Sequence, residues 1–348
     1  MIAPEACMKV TSLHRYAVKG LSGDVLSSVT FTSEDRTFQD DRRFALLFDD
    51  SNGRFHKDNP SWLHKVSSIL ELLYPSLTSQ DDLSLHKITQ ENFLCAFTAP
   101  ELLASLDTEY SIKPRLTDSS RGSTIQRILT IWDRKLGRTS EPQFGPVDLA
   151  TQQGRDATST FFTELCGKKV VCVVADRSTA KDSNGLNDTH THQFGNTQSG
   201  VKHNNGDTRT IHIVNQNTVM QFSNVINNGG NGDEISATRF RPNIIVNNLE
   251  PWGEFNLVGK TIEVVPSNRQ TSDNSQQQLR FRIVSRTVRC AGIGVDPLHP
   301  KQGILDIPKL LIDHFPEHGP YLGVYAIVDD MSCGGTISVG DGFRVVDN

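Results

Sequence analysis

The chain predicts a mainly β protein of the β-barrel type, with a few accessory helices and two β-rich regions. Three features carry this. Short runs rich in β-branched residues recur along the chain, each bounded by Gly, Pro, Asn or Asp. Helical spacing appears in only a few places. Two polar, aperiodic insertions interrupt the runs and read as surface loops or linkers.

In chain order, KVTSLHRYAVKG (9–20) is the first strand-like run. RRFALLFDDSNGRFHK (42–57) reads as a hairpin whose turn is Asn52-Gly53. In GRDATSTFFTELCGKK (154–169), Ala157, Phe161, Phe162 and Leu165 share a helical face and Gly167 is a C-terminal stop. KKVVCVVAD (168–176) follows as a strand. Residues 177–206, rich in Gly and Asn, form the expected boundary between an N-terminal region (7–176) and a C-terminal domain (207–348). RTIHIVN (209–215) leads into a helix over 217–226, with Asn215 or Asn217 as its cap. The remaining strands are RPNIIVNN (241–248), GKTIEVV (259–265), LRFRIVSRTVRC (279–290), YLGVYAIVDD (321–330) and GTISVGDGFRVV (335–346), with the second polar insertion at 266–278.

Composition narrows the function. With 35 basic and 40 acidic residues the net charge is −5, and no run of like charge stands out, so neither a nucleic-acid surface nor a polybasic membrane patch is expected. No stretch approaches the roughly 18 apolar residues of a membrane span, and the start lacks a signal-peptide pattern. A cytoplasmic location is therefore expected. The six cysteines form no CxxC pair and no zinc spacing, so reduced thiols are expected. Cys166 and Cys172 belong to a helix end and the strand after it. His190, His192 and His203 lie in the polar loop, where no carboxylate or thiolate stands at a ligand's spacing, and they are set aside as a metal site.

Two basic stretches are candidates for an anion site. In RFRPNIIV, alternation along an extended segment would put Arg239, Arg241 and Asn243 on one side, where a guanidinium could grip a phosphate in two places. The commoner meaning of such a pattern is a surface strand with solvated arginines. Cys290 ends a basic strand, with Arg289 beside it and Arg286 three residues before; that setting favours thiolate, although a cysteine ending a strand is more often a small buried hydrophobe.

Five segments, in order, resemble the MOSC family, first defined as the C-terminal part of molybdenum-cofactor sulfurase, together with the β-barrel region that precedes it. They are LHRYAVKGLSG (13–23), DDRRFALLFDDSNGRF (40–55), ATRFRPNIIV (237–246), VRCAGIGVDPLHPKQG (288–303) and GGTISVGDGFRVV (334–346). The nearest pattern is the stand-alone amidoxime-reducing component type. The resemblance implies a molybdenum cofactor (Mo-molybdopterin) between the two regions, with Cys290 as the thiolate ligand to molybdenum. A soft thiolate suits a metal already bound by dithiolene sulfur. It also implies Lys19, Arg43, Arg241 and Asn243 as contacts to phosphate or pterin, with Thr208, Arg209 and Arg289 further candidates in the same groove. Asp296 would orient the loop after Cys290 or stand near the open coordination position, or be an Asx-type turn.

Ala17 and Gly20 stand where the family usually has proline and serine, and Ile293 and Gly294 replace paired threonines, which would make the site wall less polar. The implied activity is reduction of small N-hydroxylated or N-oxide molecules. No iron–sulfur, haem or GxGxxG pattern is present, so electrons would come from a separate redox protein: cytochrome b5-like, ferredoxin-like or a flavin reductase. A non-catalytic cofactor or sulfur carrier, and a β-barrel protein that has lost its cofactor, stay open beside it.

Overall fold

A computed structural model describes residues 8–32, 36–48, 99–114, 125–174, 210–227, 234–267, 278–289, 293–296, 305–329, 332 and 334–346. Cys290, Thr208, Arg209, the polar loop and the returning half of the 42–57 hairpin lie outside them.

Both ends of the chain build one closed barrel. Its strands are β1 (Met8–Arg15), β10 (Ile211–Asn215), β11 (Ile244–Asn247), β12 (Thr261–Val265), β13 (Arg280–Val288), β14 (Tyr321–Val328) and β16 (Gly342–Val346). They pair in the order β11-β10-β14-β13-β12-β16-β1, and β1 returns to β11 to close the ring. Closure removes the unpaired edges that an open sheet of this length would expose. Every pair is antiparallel except β10 with β11, which are joined by α3 (Gln216–Ile226) and a 3₁₀ turn (Ala237–Phe240). As the sequence predicts, Asn215 caps α3, accepting from the Asn217 N–H. β3 (Asp24–Leu26) extends from β1, and β4 (Ser28–Phe31) pairs with β15 (Gly335–Ser338). The barrel core is apolar, with Phe31, Phe38, Phe281 and Phe343 linked in edge-on contacts 5.4–5.9 Å apart.

A second, smaller core lies under two three-stranded sheets. One joins β2 (Val18–Lys19), β5 (Phe44–Phe48) and β9 (Val170–Val174); the other joins β6 (Leu106–Pro114), β7 (Ile125–Asp133) and β8 (Phe144–Asp148). α1 (Pro100–Ser105) and α2 (Gln152–Cys166) belong to this half, as does the core formed by Phe44, Leu46, Tyr110, Leu129, Ile131 and Phe162. Gly167 closes α2 at φ 63°, as expected. The buried face of α2 matches the predicted one at Phe162, with Phe161 packed beside it, but is rotated from it elsewhere. Gly154, Thr158 and Phe162 are buried, whereas Leu165 is 38% exposed. Gly154 decides the rotation: a Cβ there would stand 2.0 Å from the Asp148 carbonyl, so only glycine lets the helix sit this close, and the Thr158 hydroxyl is satisfied by the Gly154 carbonyl at 2.8 Å.

Near the C-terminal end, α4 (Ile307–His314) packs on the barrel through Ile307 and Leu311 and is capped by Asp306. Among the described residues no helix is long and apolar enough to cross a membrane.

Two of the chain's passages between the two cores run side by side. Leu13 belongs to the barrel core and Ala17 to the smaller one; Phe38 belongs to the barrel core and Phe44 to the smaller one. The two crossings are bonded together, with the N–H of Arg42 donating to the Tyr16 carbonyl (2.8 Å) and that of Phe44 to Ala17 (2.9 Å).

Candidate functional site: an arginine cluster at the double crossing

Tyr16 occupies the first crossing, and it gathers charge around it. Its ring has the Arg241 guanidinium carbon 4.2 Å from the centroid and that of Arg42 5.3 Å away. Arg241 Nη1 donates to the Leu21 carbonyl (2.8 Å), and Arg42 Nη2 donates to the Arg241 carbonyl (3.0 Å). Asp41 accepts from the Tyr16 N–H at 2.7 Å through one oxygen and pairs with Arg42 through the other. Gly23 lies against the ring, where a Cβ would come within 2.5 Å of Tyr16 Cε1. Burial pushes the phenol up to about 12 although both arginines pull it down, so the hydroxyl is neutral at physiological pH. That hydroxyl is buried and has no hydrogen-bond partner.

The barrel supplies the other half of the cluster. Arg289, just past β13, donates from Nη2 to the Phe240 carbonyl (3.0 Å), and its Nη1 meets His212 Nε2 on β10 at 3.3 Å. Burial, then the charges of Arg289 and Arg42, hold His212 well below its usual range. The imidazole is thus neutral, and since a guanidinium only donates, Nε2 accepts and the proton sits on Nδ1. Asn243 binds the backbone of His212 in both directions (Oδ1 accepts at 3.1 Å, its N–H donates at 2.8 Å) and donates from Nδ2 to the His14 carbonyl (3.2 Å). Its carboxamide spans β10 and β1.

The expected alternation of Arg239, Arg241 and Asn243 does not occur. Ser236 accepts from the Thr238 N–H and starts a 3₁₀ turn over 237–240, and Arg241 follows in the left-handed region at φ 53°. The coil sends Arg239 inward, where it is 2% exposed and donates to the carbonyls of Ile293 (2.9 Å) and Gly294 (2.6 Å). Burial lowers the pKa of Arg239, against the pull of Asp296, which is itself buried. Asp296 thus lies beside a charge that anchors its own segment. Ile293 packs into the barrel core, so it does not form the less polar wall expected of it.

Lys19 and Arg43 sit on adjoining parts of the second half. Lys19 pairs in parallel register with Ala45, facing away from Val18, which enters the smaller core. Arg43 is half-buried and pairs with Asp40 at 3.2 Å. Asp40 also accepts from Arg127 Nε and the Tyr110 hydroxyl, each at 2.8 Å. Burial alone would raise its pKa, but Arg127 and Arg43, with these hydrogen bonds, hold the carboxyl below the usual range. Arg286 turns aside, its guanidinium 4.4 Å from the Phe255 ring centroid.

The structure therefore brings Arg241, Arg289 and Asn243 into one bonded network, with Lys19 on β2 and Arg43 just before β5 beside it, and Asp296 next to Arg239. Tyr16, Arg42 and His212 were not singled out in the sequence. A signal existed for His212, a polar residue inside the apolar run IHIV, and for Arg42, the first of two arginines before an aromatic strand.

Residues 200–344 match the profile of the MOSC domain. That stretch is similar to a MOSC domain. The match spans the barrel from β10 into β16, whereas β1, which closes the barrel, comes from outside it. A search of curated proteins returned no match. MOSC domains are linked to binding of the molybdenum cofactor.

The donor set can be tested against such a group. Both carboxylates of the crossing are already engaged, Asp41 with Arg42 and Tyr16, Asp40 with Arg43, Arg127 and Tyr110, while Arg241 and Arg289 bond to carbonyls and a neutral imidazole. Three guanidiniums, two of them buried, stand close together here, which fits a phosphate-bearing group. Among the described residues no cluster of three His, Cys, Asp or Glu could hold a metal.

Proposed function

We propose that this chain binds the molybdenum cofactor at the double crossing and reduces small N-hydroxylated or N-oxide molecules, with electrons from a separate redox protein. The observation that carries the reading is the convergence of Arg241, Arg42 and Arg289 at the junction of the barrel with the second core, within the stretch matched to the MOSC domain and the strands beside it. Arg241 and Arg289 would hold the phosphate end, and Lys19 and Arg43 would add charge from the second half. Neutral His212 would keep Arg289 in place without competing for the anion. Cys290 would be the thiolate ligand, and Arg239 would anchor the segment that follows it. When bound, the cofactor supplies two-electron oxygen-atom transfer. The protein's part is to bind, orient and exclude water.

The test is molybdenum and pterin content of the protein from a host that makes the cofactor, followed by turnover of an N-hydroxylated compound with an artificial reductant. Near-stoichiometric molybdenum with turnover supports the reading. Cofactor without turnover would favour a carrier, and a folded protein with neither would end both. Replacing Cys290 with alanine should abolish molybdenum-dependent turnover and leave folding intact; undiminished activity would remove the ligand role.

A further inference from the structure

We propose that Tyr16 is a positioning residue of the anion site, its aromatic face holding the Arg241 and Arg42 guanidiniums together in the arrangement that receives a phosphate dianion. The inference rests on the function proposed above and concerns a residue to which the sequence reading gave no role.

Two like charges share one ring. Arg241 lies 4.2 Å and Arg42 5.3 Å from its centroid, and the Nη2 of Arg42 reaches the backbone carbonyl of Arg241. Asp41 and the Leu21 carbonyl anchor the two guanidiniums from outside, and the ring is the surface they share, with their mutual repulsion to offset. The negative face of the ring offsets part of their repulsion, and more so in a site sheltered from water. The ring itself cannot move: Tyr16 is 3% exposed, its N–H is fixed by Asp41, its carbonyl by Arg42, and Gly23 closes on its edge. A buried hydroxyl without a partner costs stability. Retention of the ring despite that cost points to the use made of its face.

Ring fluorination at this position separates the face from the shape. The series starts from Tyr16→Phe and proceeds through phenylalanines carrying one to three ring fluorines, which withdraw charge from the face with little change in volume. Inorganic phosphate is titrated calorimetrically into each full-length protein, with Arg241→Ala as the reference for loss of the site and thermal unfolding as the check on folding. Phosphate affinity should fall step by step, by about tenfold across the series, at constant unfolding midpoint. An affinity that is unchanged or rises with fluorination, while Arg241→Ala abolishes binding, would overturn the role of Tyr16 and leave the anion site standing. If the unaltered protein itself fails to bind phosphate, the anion site falls and this inference with it.

Discussion

Arg241 gives a way to separate the stability of the crossing from its chemistry. Its backbone is left-handed at φ 53°, a conformation that costs a side-chain-bearing residue about 1–2 kcal/mol. Replacing it with alanine removes a charge-assisted bond to the Leu21 carbonyl, about 1.5 kcal/mol, and the contact with Tyr16, about 1 kcal/mol, while the backbone strain stays. Arg241→Ala should therefore be about 2.5 kcal/mol less stable than the unaltered protein. Replacing it with glycine loses the same contacts but relaxes the backbone, a relief partly offset by glycine's extra unfolded-state entropy of about 0.5–1 kcal/mol. The glycine variant should be more stable than the alanine variant by roughly 0.5–1 kcal/mol, taking the lower half of each range. Urea unfolding followed by tryptophan fluorescence measures the difference, and pterin content measures the chemistry. Both variants should lose cofactor affinity by about tenfold or more. Equal stability of the two would refute the strain argument, and pterin content at the unaltered level in both would refute the anion role.

Glu254, buried between Thr218 and Asn215, is lifted by burial to about 7. Because its folded pKa lies above the unfolded value near 4.5, its contribution is full below that value and is lost as pH rises through 7, a change of about 3 kcal/mol; Glu254→Gln should abolish this loss when unfolding is compared at pH 5 and pH 8. Asp40 has the opposite sign: its folded pKa is depressed, so its contribution is present above about pH 4 and is lost as pH falls through the folded value. Asp40→Asn should cost about 2–3 kcal/mol at neutral pH and reduce the acid sensitivity of unfolding. Gly323→Ala would place a Cβ 2.7 Å from His212 Nε2 in a residue at φ 78°, and should cost about 2–4 kcal/mol while lowering pterin content with His212 displaced; unchanged stability would contradict the packing.

The barrel was legible because most of its strands are both buried and β-branched. IHIVN, IIVN, TIEVV and YLGVYAIV all emerged near their predicted places. Of the strands that sequence reading passed over, IQRILTIWD (β7) is as β-branched as those it found, whereas two others are of another kind. LDTEYSIKP forms β6 with few β-branched residues, yet Leu106, Thr108 and Tyr110 alternate and are buried, so its signal was the period of two and not composition. FGPVD forms β8 around a Gly-Pro pair that reads as a breaker; it lies at the edge of its sheet, where a missing N–H is tolerated. At the site, spacing identified the right neighbourhood around Arg241 and Asn243 and misjudged its geometry, because the 3₁₀ turn begun by Ser236 depends on a local side-chain bond that alternation does not contain. That Arg42 would meet Arg241 was invisible for a different reason: the residues are 199 apart in sequence, and only the paired crossings bring them together.

Among the described residues, five without glycine's freedom adopt positive φ, and Asp40, Arg42 and Arg241 of these fall in the crossing. At each of the three, glycine would relax the backbone, so the side chain must return more than the strain it imposes. For Asp40 the return is structural, since it joins β7, β6 and Arg43 in one ionic knot. Arg42 is held by Asp41 and reaches across to the Arg241 carbonyl, which explains its own pose and half of its neighbour's. Arg241 bonds to the Leu21 carbonyl and rests on the Tyr16 ring, contacts worth about 2.5 kcal/mol, set against strain of about 1–2 kcal/mol and the repulsion of the nearby guanidiniums. An anion bound there would offset that repulsion and add to the stability of the crossing.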